Sequence, residues 1–84
     1  MYSVSITSRA ERDLRKLDRQ IKNRITKSIL ALADNPHPAG CVKVQSEEGV
    51  WRIRVGDWRV GYIVDASANE IVVIRIGHRS EFYT

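Results

Sequence analysis

The 84-residue sequence has one cysteine, Cys41, two prolines and no apolar run longer than the five residues from Ile29 to Ala33. A lone cysteine excludes an internal disulfide and fits a reducing compartment, so a cytoplasmic location is expected. Five apolar residues fall far short of the roughly 20 that a membrane-spanning helix requires. The N-terminal stretch Met1 to Ser8 has neither a basic start nor an apolar core, so it does not read as a secretory signal. One cysteine and two distant histidines, His37 and His78, supply no recognisable zinc ligand set. Neither metal nor cofactor is therefore expected. The length allows one domain spanning residues 1–84 and excludes a two-domain enzyme. Acidic residues are scarce relative to basic ones, 10 against 14, and the net charge of +4 suits an anionic partner.

Hydrophobic residues make up 43% of the chain, and nine Ile with nine Val weight it toward strands. Tyr2, Val4 and Ile6 alternate with Ser3, Ser5 and Thr7, the pattern of a strand with one buried face. Ser8-Arg9-Ala10-Glu11 then reads as a capping box that starts a helix. Ala10, Leu14 and Leu17 follow at helical spacing, and Asp18 caps a second segment whose apolar stripe is Ile21, Ile25, Ile29 and Leu32. The two make a helical hairpin or one bent helix, closed by Asn35-Pro36-His37-Pro38. Between Arg9 and Lys27 lie eight basic residues, a second candidate contact surface that includes Lys22 and Lys27.

From Val50 the period is two. Val50 to Val55 and Trp58 to Val64 read as strands joined by Gly56-Asp57, with Gly56 supplying the positive φ of a type II′ turn. A turn at residues 66–69 leads to a further strand, Ile71 to Ile76, expected to break at Gly77. The two-residue turn fixes the register: Arg54 faces Arg59, Arg52 faces Gly61, and Trp51 faces Tyr62. Trp51, Ile53, Val55, Trp58, Val60, Tyr62 and Val64 then share a core face, while Arg52, Arg54 and Arg59 share the other. Like charges directly opposed cost about 0.2–1 kcal/mol, a conflict that an anionic ligand would relieve. Guanidinium forks match phosphate oxygens.

With Gly77 ending the strand, His78, Arg79 and Tyr83 are expected to swing toward the three arginines. That set holds fixed cations, an imidazole that titrates near neutral pH and a phenol able to stack on a base. Metal-free RNA cleavage needs a base for the 2′-hydroxyl, charge stabilisation at phosphorus and a proton for the leaving oxygen. Arginine supplies only the second, so proton transfer falls to His78 or Tyr83.

The order of elements, the motif Trp51-Arg52-Ile53-Arg54-Val55, the motif Trp58-Arg59-Val60-Gly61-Tyr62 and the ending Ile76-Gly77-His78-Arg79-Ser80-Glu81-Phe82-Tyr83 resemble the RelE toxins of the RelE/ParE superfamily. The resemblance implies an α+β fold, a small curved antiparallel sheet packed against an N-terminal helical hairpin in the order β-α-α-β-β-β. It implies the toxin of a type II toxin–antitoxin pair, a ribosome-dependent, metal-independent mRNA endoribonuclease silenced by a RelB-like antitoxin. Arg52, Arg54, Arg59, Arg79 and Tyr83 then stand where that family binds and cuts RNA. Some members carry lysines in place of Arg52 and Arg54, one of them a proposed base, which shifts proton transfer here onto His78 and Tyr83. Chains of the same fold also include ParE-like inhibitors of DNA gyrase that cut nothing, and a catalytically weak, antitoxin-binding corepressor is a third reading.

Overall fold

The structure, a computed structural model, describes residues 1–82, with side chains through residue 80. The chain runs β1 (Ser3–Ile6), α1 (Ser8–Arg15), α2 (Arg19–Ala31), β2 (Val42–Lys43), β3 (Val50–Val55), β4 (Trp58–Asp65), β5 (Glu70–His78) and α3 (Arg79–Phe82). The five strands form one sheet ordered β1-β5-β4-β3-β2. This is the expected α+β arrangement of a helical hairpin and a sheet, with one change: the sheet is mixed. Short turns force β3, β4 and β5 into antiparallel pairing, but β1 meets β5 only after the chain has crossed through α1 and α2. No turn dictates its direction, and it pairs parallel, Ser3 with Glu70 through Ile6 with Val73. The two-residue β2 has too short a pattern to be legible in sequence.

Ala10, Ile25, Ile29 and Leu32 of the helices and Ile53, Val55, Val60, Tyr62, Ile71, Val73 and Ile76 of the strands form one buried cluster. All of these strand residues lie on the face covered by the helices. Each fully buried aliphatic side chain contributes about 1.5–3 kcal/mol. Asp18 caps α2 as expected, its Oδ1 accepting from the Ile21 N–H at 3.1 Å. Helix α1 is capped by Thr7 instead of Ser8. The Thr7 Oγ1 accepts from the Ala10 N–H and donates to the Ile74 carbonyl, so one hydroxyl both caps the helix and ties it to β5.

β5 is longer than its sequence pattern implies. Gly77 does not break it but stays in the ladder opposite Arg59, and the strand continues to His78. Above the end of β1 the edge of β5 is satisfied by side chains: the Asp13 Oδ2 accepts from the Ile76 N–H at 3.1 Å. Removing that acceptor in Asp13→Ala is expected to cost about 1.5–3 kcal/mol, the usual range for a hydrogen bond to a charged group. Asp13→Asn, which keeps an oxygen in place, should recover most of it. Urea unfolding midpoints of the two variants check this.

Candidate functional site

The hairpin pairs as the two-residue turn dictates. Val55 faces Trp58, Arg54 faces Arg59, Arg52 faces Gly61 and Trp51 faces Tyr62. Gly56 has φ +62° while Asp57 keeps a negative φ, as a type II′ turn requires. Strand alternation therefore sends Arg52, Arg54 and Arg59 to the face of the sheet away from α1 and α2. Together with Gly40, Val42 and Ile53 they line a pocket of ≈ 100 Å³. The space has room for a phosphate group.

The three arginines are not equally exposed. Arg54 is exposed, Arg52 half-buried, and Arg59 only 5% exposed. Arg59 is thus not the freely outward residue that its strand position implies. Its Nη1 folds back to donate to the Gly56 and Trp58 carbonyls at 3.3 and 3.2 Å. These two bonds hold one end of the guanidinium rigid.

His78 does not join the arginine face. With Gly77 in the ladder, His78 pairs with Trp58 on the helix side of the sheet. Their rings meet edge to face at 5.5 Å. Its Nδ1 lies 3.2 Å from the Ser80 Oγ and 3.5 Å from the Ser80 N–H. Arg79 is exposed at the start of α3, and its N–H donates to the Asp57 carbonyl at 2.8 Å, fastening the tail to the tip of the hairpin. Tyr83 lies outside the described residues. Lys22, half-buried, and Lys27, exposed, sit on α2 and are not in the lining of the arginine pocket.

Two cations near the site escape a reading of the sequence. The register slips between Gly61 and Tyr62: Tyr62 pairs with Val73 and Gly61 with Arg75, which leaves Ile74 as the extra residue of a bulge. The bulge rotates Arg75 onto the arginine face, in one row with Gly61 and Arg52. There its Nη2 meets the Glu47 Oε1 at 2.5 Å. The second is Arg24 of α2, whose guanidinium lies over the turn, 3.5 Å from where a Cβ at Gly56 would stand. Neither the bulge nor a helix-to-turn approach leaves a local sequence signal.

Tyr62 supports the site from within the core. It is fully buried and its hydroxyl donates to the Pro36 carbonyl at 2.7 Å, anchoring the loop that carries Gly40 into the pocket wall. Burial pushes the Tyr62 phenol well above the ordinary tyrosine range, and the neighbouring Cys41 thiol adds to the shift. It therefore stays protonated at working pH and is unsuited to act as a base. On the same loop, the ring of His37 stands edge to face against Trp51 at 4.5 Å. Among the described residues no group of His, Cys, Asp and Glu is placed to hold a metal ion, and no helix is long and apolar enough to cross a membrane.

Comparison with known proteins gives a consistent set of relatives. A family profile described as the ParE toxin of type II toxin–antitoxin systems matches residues 4–83. The toxin RelE of Mycobacterium tuberculosis is 35% identical over 83 residues, covering 98% of this chain and 86% of that protein. The toxin RelG of the same organism is 29% identical over 83 residues, with 98% and 95% covered. Among solved structures, the RelBE2 toxin–antitoxin complex of M. tuberculosis superposes with TM-score 0.81 at 28% identity, covering 93% of this chain and 98% of that one. The isolated RelE toxin of E. coli shares the fold, with TM-score 0.80 at 20% identity over 93% of this chain and 84% of that one.

Proposed function

The chain belongs to the ParE toxin family of type II toxin–antitoxin systems, and on that premise we propose that it is a RelE-type toxin that cuts messenger RNA on the ribosome. The observation that carries this reading is the pocket itself: Arg52, Arg54 and Arg59 converge on a phosphate-sized space on the face of the sheet away from α1 and α2. Three guanidinium groups around one phosphate match the charge that develops when phosphorus becomes pentavalent.

In the proposed reaction the ribose 2′-oxygen attacks the adjacent phosphorus and loses its proton to a base. The bond from phosphorus to the 5′-oxygen breaks, and that oxygen takes up a proton. The products are a 2′,3′-cyclic phosphate and a 5′-hydroxyl. Arg52, Arg54 and Arg59 stabilise the phosphorane, and Arg79 adds backbone binding from the hairpin tip. Proton transfer belongs to Tyr83 or His78. The packing of the His78 ring on Trp58, away from the arginines, favours Tyr83 for this role. His78→Ala is expected to keep most of the single-turnover rate and Tyr83→Phe to lose most of it, as read by quenched-flow cleavage on programmed ribosomes. Lys22 and Lys27, outside the pocket lining, are assigned to weaker contacts with the RNA of the ribosome. The partner that silences the chain is a RelB-like antitoxin, in keeping with the RelB–RelE complexes that share its fold.

Primer-extension mapping on translating ribosomes, with and without EDTA, tests the proposal. New cuts that survive chelation are expected, since the arginines supply the charge that a metal otherwise would. The family profile carries the name of ParE, which favours a gyrase inhibitor as the second reading. That reading predicts stalled gyrase in a supercoiling assay and intact messenger RNA.

A further inference from the structure

We propose that Arg75, with Arg52 shared from the arginine pocket across Gly61 in one cross-strand row, forms a second phosphate subsite next to that pocket, with Glu47 as the counter-ion that RNA displaces from it. The inference rests on the nuclease reading and deepens it by naming where the next phosphate of the substrate binds. Four observations carry it.

The row is continuous: β3 offers Arg52, β4 offers Gly61 with no side chain, and β5 offers Arg75. Two arginine stems flank Gly61, which is itself buried. The row also lies two residues along the strands from the Arg54–Arg59–Gly77 row. At ~3.4 Å per residue that is ~7 Å, about one backbone step of an extended nucleotide chain.

The third observation is the bulge. Ile71, Val73 and Ile76 all point into the core, so unbroken alternation from Val73 would send Arg75 inward. Leaving Ile74 unpaired keeps Ile76 in the core and delivers Arg75 to the arginine face. The fourth is the nature of the ion pair. Glu47 arrives on a tight loop closed by Val44 N–H to Val50 carbonyl and Val50 N–H to Glu47 carbonyl bonds. Its side chain remains 36% exposed and that of Arg75 23% exposed, so water and solutes reach the pair. A carboxylate placed so occupies the position a phosphate would take, and the solvent that reaches the pair gives a competing anion access to it.

The test measures binding of a fluorescein-labelled RNA trinucleotide carrying 2′-O-methyl riboses, which cannot be cut. Glu47→Gln is expected to tighten Kd about fivefold by removing the competing charge. It should also steepen the plot of log K against log salt by about 0.7, one additional phosphate contact on a single strand. Glu48→Gln, the same charge change at an exposed neighbour without the Arg75 contact, is the control and should shift Kd by less than about twofold. In an Arg75→Gln background Glu47→Gln should lose its effect. Equal tightening by the Glu47 and Glu48 variants, or none in either, overturns the subsite. So does a Glu47→Gln protein that melts lower but binds no tighter, because the pair is then only a staple between loop and sheet. Ribosomal cleavage by the same proteins is read separately: cuts made by wild type and lost in Arg59→Ala leave the nuclease reading standing even if the subsite falls.

Discussion

Arg59→Ala is expected to reduce cleavage on the ribosome by ~10²–10³-fold, the loss that follows removal of one preorganised donor to a developing oxyanion. Arg59 is the most preorganised of the three pocket arginines. Its burial and its bonds to the Gly56 and Trp58 carbonyls fix the guanidinium before any substrate arrives. Arg54, exposed on the neighbouring strand, must be ordered by the ligand, so Arg54→Ala should cost less. The same two bonds mean that Arg59→Ala also loses about 1–2 kcal/mol of stability. Against a total of about 5–15 kcal/mol the variant stays folded, so lost activity cannot be ascribed to unfolding. Arg59→Lys restores charge without the fork and should recover only part of the rate. Single-turnover cleavage paired with thermal melts checks all three. A fully active Arg59→Ala protein would remove the pocket from the mechanism.

What could be read from the sequence here follows a physical rule: features set by short-range geometry were legible, and those set by distant partners were not. The hairpin register needs only a Gly56-Asp57 turn and alternating apolar residues, and it placed Arg52, Arg54 and Arg59 on one face without further information. The Asp18 cap likewise depends on four successive residues. By contrast, Thr7 displaces Ser8 as the cap of α1 because its hydroxyl also reaches Ile74, 67 residues away. Gly77 remains in its strand because Arg59 pairs with it, and that pairing carries His78 to the side of Trp58. The expectation that His78 would face the arginines depended on a break that tertiary pairing repairs. Arg75 reaches the site through a bulge that Ile74-Arg75-Ile76 does not announce, since either alternation is compatible with those residues alone.

Tyr62→Ala should be the most damaging single change to the fold. The side chain is fully buried at the centre of the cluster shared by helices and sheet, and truncating a large aromatic there costs about 3–5 kcal/mol. For an 84-residue domain that is a large share of the total, and expression mostly as unfolded protein is expected. Tyr62→Phe separates packing from the hydroxyl. It keeps the ring and loses the bond to the Pro36 carbonyl, at a cost of about 0.5–1.5 kcal/mol. The loop it releases carries Gly40 in the pocket wall and leads into Val42 of β2, so Tyr62→Phe should weaken RNA binding more than its small loss of stability would indicate. The raised phenol pKa adds a pH signature. The folded state holds Tyr62 neutral, so its contribution is fully present below the unfolded phenol's pKa of about 10 and is lost as pH rises beyond it. Wild-type stability should therefore fall more steeply above pH ~10 than that of Tyr62→Phe, which has no phenol at this position to ionise. Parallel slopes in the two proteins, measured by denaturant titration across the alkaline range, would show that the phenol is not held by burial, and the anchoring of the pocket wall through Pro36 would then have to be abandoned.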